Sequence, residues 1–163
     1  MPTIQPWLWF DTEAEEAVAF YVSVFPRSCV LRTDRYGPDV PGRGGQVMSI
    51  LFSLDGQTFG AINGSADFPF TQAVSFLIDC GDQDEVDHYW SRLTEGGKEV
   101  QCGWLIDRYG LSWQVVPRRL DELLADPDPA RAARAMAAMM SMVKLDIAAL
   151  EAAADGATDP AGV

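Results

Sequence analysis

The sequence predicts an α+β fold made of two similar βαβββ units followed by helices, and three observations predict it. First, residues 4–24 and 73–94 share one order: a short apolar strand, an aspartate, then an amphipathic helix that opens on carboxylates. Ala17, Phe20 and Tyr21 recur as Val86, Tyr89 and Trp90 at an offset of 69 residues and Asp11 recurs as Asp79 at 68, so a one-residue indel reconciles the two halves. Second, each helix is followed by three short apolar runs separated by Gly, Pro and Asp punctuation. Third, the pattern beyond Pro117 changes to Ala, Met and Leu at helical spacing.

In the first unit, IQPWLWF (4–10) is an aromatic-rich strand. Asp11 or Thr12 caps a helix through about Val24, with Glu13, Glu15 and Glu16 in its first turn, where carboxylates favour the helix dipole. Ala17, Phe20, Tyr21 and Val24 give that helix its buried face, and Pro26 ends it. Strands follow at about 28–36, 46–54 and 57–63. The last two are joined by Asp55-Gly56, the strongest short hairpin signal in the chain. Residues 37–45 (GPDVPGRGG) and 64–71 read as loops.

In the second unit, AVSFLIDC (73–80) is a strand, and Asp82 caps a helix through about Thr94 that Gly96-Gly97 stops. Strands near 98–102, 104–107 and 112–117 complete it. After Pro117 the chain turns helical, with a short turn at 119–125 that breaks at Asp126-Pro127. Asp128 then caps a long helix with Pro129 in its first turn, and Lys144-Leu145-Asp146 leads into a final one. The expected organisation is a single domain over 1–163, with modules at 4–66 and 70–118, helices at 119–154 and a flexible tail at 155–163.

Composition narrows the function. The formal charge is −12, with two lysines and ten scattered arginines, which opposes a nucleic-acid partner. No apolar run approaches the ~20 residues of a membrane span, and the N-terminus lacks the basic-then-apolar order of a signal peptide. Three cysteines, Cys29, Cys80 and Cys102, are odd in number and suit reduced thiols in the cytoplasm.

The most informative segment is QCGWLIDRYGLSWQVVP (101–117), where an Asp-Arg-Tyr-Gly turn leads into a strand with Ser112, Gln114 and Val116 on one face and Trp113 and Val115 on the other. Together with 6–26 and 73–97, it resembles the glyoxalase or vicinal-oxygen-chelate superfamily, and more closely its PhnB-like branch, often catalogued as 3-demethylubiquinone-9 3-methyltransferases. The resemblance runs over about residues 4–154. It implies paired βαβββ modules, curved mixed sheets around a cup in the glyoxalase/bleomycin-resistance manner, and a homodimer. In metal-dependent members four ligands come from the first and fourth strands of each unit. Carried over strand by strand, those positions fall at or near Gln5, Ala61 (or Asn63), Ala73 and Gln114. Alanines and amides do not make a divalent-metal shell, so no metal and no cofactor are expected. The methyltransferase name finds no glycine-rich strand–loop–helix turn, because GRGG (42–45) precedes a strand.

Alternation places Gln5, Trp7, Trp9, Phe59, Ala61, Asn63, Ala73, Ser75, Leu77, Ser112, Gln114 and Val116 on the cup wall. The expected ligand-binding set is Gln5, Trp7, Trp9, Asn63, Ser75, Trp104, Arg108 and Gln114, with Arg108 an anion anchor at the rim. It suits a small aromatic or amide-bearing ligand. Cys102 is the candidate nucleophile, without a histidine base; a small buried hydrophobe is the commoner role. His88, the only histidine, reads as part of a solvated helix face. The stripe of Met136, Met139, Met140, Met142 and Val143 is expected to pack on the domain or on a second copy. The leading expectation is a metal-free small-molecule-binding protein. An enzyme of the same family (methyl or group transferase, isomerase or lyase) and a dimeric regulatory domain are the alternatives.

Overall fold

The computed structural model describes residues 4–66 and 68–157. The chain divides into two compact units, Met1–Pro69 and Phe70–Val163, each with one four-stranded mixed sheet.

The first unit runs β1 (Trp7–Phe10), α1 (Ala14–Val24), β2 (Cys29–Arg35), β3 (Val47–Leu54) and β4 (Gln57–Asn63). The sheet order is β1-β4-β3-β2, with β1 parallel to β4 and the other pairs antiparallel. Asp55 and Gly56 both take positive φ, 46° and 92°, which a two-residue turn matched to strand twist requires. Leu8, Ile50, Phe52, Phe59 and Ala61 are buried, and the register puts them on one face. There they meet Ala14, Ala17, Val18, Tyr21 and Val24 of α1. Burying each of the larger side chains contributes ~1.5–3 kcal/mol. The expected cap of α1 is corrected: Glu13 stands at the N-cap, and its side chain caps no helix amide but accepts from Thr12 N at 3.0 Å. The free amide of Ala14 is met instead by Asn63 Oδ1 at 2.9 Å, while Asn63 Nδ2 donates to Val47 O at 3.2 Å.

The second unit runs β5 (Ser75–Cys80), α2 (Gln83–Thr94), β6 (Lys98–Glu99), β7 (Trp104–Ile106) and β8 (Ser112–Pro117), in sheet order β5-β8-β7-β6. Asp82 caps α2 as expected, accepting from Glu85 N at 2.9 Å. Val86, Tyr89, Trp90 and Leu93 of α2 are buried, as are Leu105, Trp113 and Val115 of the sheet. The Asp107-Arg108-Tyr109-Gly110 turn is built around Asp107. That carboxylate is 3 % exposed and accepts from Tyr109 N (2.8 Å), Leu111 N (3.0 Å) and Trp113 Nε1 (2.9 Å).

Three helices follow: α3 (Arg118–Leu124), α4 (Pro129–Ser141) and α5 (Ile147–Ala154). Asp128 caps α4 through Ala130 N at 2.9 Å. The helices share a small core of Leu120, Leu123, Ala135, Leu145, Leu150 and Ala154. Residues 142–147 fasten them to the rest of the unit. Cys102 N donates to Met142 O and Gly103 N to Val143 O, each at 2.8 Å. Both ends of the Gln83 amide engage the same segment, Nε2 donating to Leu145 O at 3.2 Å and Oε1 accepting from Ile147 N at 2.9 Å. Lys144 Nζ bonds Asp87 at 2.5 Å. The expected methionine stripe divides: Met139 and Met142 pack on the helical core, whereas Met136, Met140 and Val143 are exposed. Of the expected tail, 158–163 lie outside the described residues.

Candidate functional site

Each sheet has one face under its helix and one face turned away, and the second kind holds most of the candidate residues. In the second unit the register sets Ser75 beside Ser112, Leu77 beside Gln114, Trp104 opposite Gln114 and Ile106 opposite Ser112. These six side chains therefore share a face, because side chains alternate along each strand. Gln114 Nε2 donates to Ser75 Oγ at 2.9 Å. Ser112 Oγ is buried and has no hydrogen-bond partner among the described residues. Leu77 is exposed, and Trp104 and Ile106 are half-buried. Ser75, Trp104 and Gln114 thus come together as expected, and Ser112, which sequence reasoning placed on the wall without a role, joins them as an unsatisfied hydroxyl.

Arg108 does not join them. Its Nε donates to Glu95 O at 3.1 Å and its Nη2 lies 3.5 Å from the Glu95 carboxylate, so it ties the turn to the end of α2. Ala73 precedes β5 and is exposed, because the strand begins two residues later than expected.

In the first unit Trp7 and Trp9 share a face with Gly60, Ile62, Leu51 and Ser49. Asn63, Phe59 and Ala61 are corrected to the opposite face, beneath α1. The parallel register pairs Phe10 with Asn63, and Asn63 is spent on capping Ala14. Gln5 is half-buried and precedes β1. Trp9 Nε1 donates to Ala66 O at 2.8 Å, and Phe68 meets its ring edge-on at 5.3 Å between centroids. A separate open cavity of about 650 Å³ lies within this unit, lined by Asp11, Glu15, Arg35, Tyr36 and the backbone of Gly44 and Gly45 among others. Sequence reasoning missed it; the Pro/Gly-rich 37–45 loop was its one visible signal.

Cys102 is half-buried at φ 59°, its amide held by Met142 O. The Cys80 thiol is pushed up to about 12, first by burial and then by the carboxylates of Glu85, Asp79 and Asp82, so it stays protonated and unreactive. His88 is exposed on α2 with its ring edge-on to Tyr89 at 5.0 Å.

Two βαβββ units, each a four-stranded mixed sheet with a helix on one face, define an α+β fold that solved structures share. The family model for 3-demethylubiquinone-9 3-methyltransferase matches residues 2–116, and the chain belongs to that family, in its PhnB-like branch. The PhnB protein of Bacillus cereus is 34% identical with a TM-score of 0.66, over 71% of this chain and 99% of that one. Protein PA1353 of Pseudomonas aeruginosa has the same fold at 18% identity and a TM-score of 0.60, over 72% of this chain and 98% of that one. The fosfomycin resistance protein FosX of Listeria monocytogenes shares it at 14% identity and a TM-score of 0.53, over 75% and 97%. No curated protein matches the chain. The family match ends at 116, so α3 to α5 are an addition to the family unit.

The groups that the superfamily and the family name bring to mind do not fit these residues. At the metal positions Ala61 is buried under α1, Ala73 has no ligand atom, the Asn63 amide is spent on Ala14 and Val47, and Gln5 and Gln114 carry only neutral amides, which do not make a divalent-metal shell. No group of three or more His, Cys, Asp or Glu able to hold a metal ion occurs among the described residues. A Rossmann-type enzyme holds its nucleotide cofactor at an open helix N-terminus behind a glycine-rich turn. Here the α1 terminus is filled by Asn63. The α2 terminus is filled by Asp82 and by Glu85, whose Oε2 accepts from Gly81 N at 2.7 Å. Residues 42–45 lie in a turn before β3 instead. No helix among the described residues is long and apolar enough to cross a membrane.

Proposed function

We propose that this chain binds a small neutral molecule without a metal, using the face of the second sheet that carries Ser75, Trp104, Ser112 and Gln114. The observation that carries the reading is the Ser112 hydroxyl, buried without a partner beside the Gln114–Ser75 hydrogen bond. A buried hydroxyl left unsatisfied costs ~1–3 kcal/mol, and a ligand that bonds it removes that cost. Gln114 Oε1 offers an acceptor and the Ser75 hydroxyl a donor, while Trp104, Ile106 and Leu77 supply apolar area. That set suits an aromatic or amide-bearing ligand and gives no preference to an ion.

The partner expected beside the ligand is a second copy of the chain, supported by the exposed Met136, Met140 and Val143. A cytoplasmic location is supported by three unpaired thiols.

Calorimetry with 4-hydroxybenzamide tests the binding reading. Ser112→Ala and Gln114→Leu should each weaken binding by about tenfold, the worth of one or two hydrogen bonds. Unchanged affinity in both variants, or near-stoichiometric zinc, nickel or manganese after chelator-free purification, would refute it.

A further inference from the structure

We propose that the outer face of Trp7 is a stacking subsite for a flat, uncharged ring. The proposal rests on the small-molecule-binding reading and adds planar ring systems to the ligands the chain takes, at a subsite within the first unit. Trp7 of β1 sits opposite Gly60 of the parallel strand β4. A Cβ built on Gly60 would strike Cδ2, Cε2 and Cε3 of the Trp7 indole, all around the fused bond. The ring therefore lies with its face on the Gly60 backbone. Trp9 repeats the arrangement over Gly64, where an added Cβ would strike Cζ2, Cε2 and Cη2. Glycine thus stands at both places where any side chain would lift an indole off the strand.

The two tryptophans differ in what happens above the ring. Trp9 is held by Ala66 O and Phe68. Trp7 is 50% exposed, so one ring face is fixed on backbone and part of the rest is open to solvent. Core packing does not account for it, because the buried neighbours in its strand, Leu8 and Phe10, point to the other side of the sheet. A ring already held in one orientation loses little freedom when a second ring stacks on it. The charge of this face selects between a ring and a cation. Its charged groups, Arg32 and Asp34, lie opposite Leu51 and Ser49 and bond each other at 2.9 Å. They cancel, so among the described residues of the strands on this face no unbalanced charge draws a cation to the indole, and an uncharged aromatic ring is the occupant that fits.

Titration with 2-naphthol, followed by calorimetry, tests the subsite on the full chain. Trp7→Leu should weaken binding about tenfold and Trp7→Phe by less, in line with the loss of one stacking partner. Gly60→Ala should match Trp7→Leu although the tryptophan is still present, because the new methyl lifts its ring. The saturated analogue trans-decahydro-2-naphthol should bind the wild type about tenfold more weakly and be indifferent to Trp7→Leu. The subsite is overturned by no 2-naphthol binding up to ~1 mM, by Trp7→Leu within twofold of wild type, or by equal affinity for the saturated analogue. It is also overturned if Trp7→Leu dissociates a dimer in sedimentation while naphthol binding is unchanged, which makes the face a contact between copies. Binding of 4-hydroxybenzamide that needs Gln114, alongside naphthol binding that ignores Trp7, removes the subsite and leaves the binding reading standing. The converse pattern removes the second-sheet site and keeps the ring subsite.

Discussion

Replacing Asp107 should damage the second unit more than any other single polar substitution in the DRYG turn. The carboxylate is buried and accepts from two backbone amides and the Trp113 indole, at 2.8, 3.0 and 2.9 Å. Asp107→Ala leaves Leu111 N and Trp113 Nε1 buried without that acceptor, at ~1–3 kcal/mol each, with a smaller loss at the half-buried Tyr109. The sum is ~3–5 kcal/mol. In Asp107→Asn the oxygen still serves the two amides, but the new NH2 faces the indole N–H, donor against donor, at a cost of ~2 kcal/mol. With a urea slope of ~2 kcal/mol/M, Asp107→Ala should lower the unfolding midpoint by ~2 M and Asp107→Asn by ~1 M. Combining Asp107→Asn with Trp113→Phe removes the clash along with its partner, so the pair should couple by ~1–2 kcal/mol. A midpoint for Asp107→Ala within ~0.5 M of wild type, or additive effects in the double variant, would show that the turn does not depend on this carboxylate.

Asn63→Ala should destabilise the first unit by ~2–3 kcal/mol in thermal or urea unfolding, because it strips both the α1 cap and the bond to Val47 O. Gly103→Ala should cost ~2 kcal/mol or more, since φ is +80° and a Cβ would lie 2.8 Å from Val115 O and 3.0 Å from Leu145 Cδ1. Iodoacetamide followed by mass spectrometry should label exposed Cys29 in the native protein and spare Cys80, whose thiol stays protonated up to about 12. Asp87 is held below the usual carboxylate range by hydrogen bonds from Lys144 and Gln83, and Asp126 by the Asp128 amide and then Arg131. Their folded values lie below the unfolded ones, so their stabilisation is present above pH ~4 and lost as pH falls further. The melting temperature should therefore drop on the acid side of that point, less steeply in Asp87→Asn.

The features that local chemistry decides were legible in the sequence. Asp82 and Asp128 cap their helices from two or three residues away, and Asp55-Gly56 turns its hairpin within two residues. What failed in the first unit was the register between distant strands. The amide that caps α1 comes from Asn63, 49 residues on, and no spacing rule reaches that far. The same parallel pairing, Phe10 with Asn63 and Trp9 with Ile62, decides which side of the sheet each β4 residue faces. Alternation orders residues within a strand but does not say how two strands are phased. Alternation grouped Ser75, Leu77, Ser112 and Gln114 correctly, yet the orphaned hydroxyl of Ser112 appears only once its neighbours are known. Arg108 was legible as a turn residue, but its partner Glu95 sits across the β6–β7 segment.

The fastening of α3–α5 through residues 142–147 has a consequence for concentration. The Gln83 amide meets chain atoms 62 and 64 residues further on, so docking of the added helices is binding between a receptor and a ligand that are covalently joined. Its occupancy is set by the effective concentration of a tethered segment, of millimolar order for a short flexible tether, and does not change on dilution. Any contact made through Met136 and Met140 with another molecule is bimolecular and does dilute away. Dilution therefore separates the two roles of one small helical cluster: the side that faces its own chain stays closed, and the side that carries the exposed methionines is governed by supply of its partner.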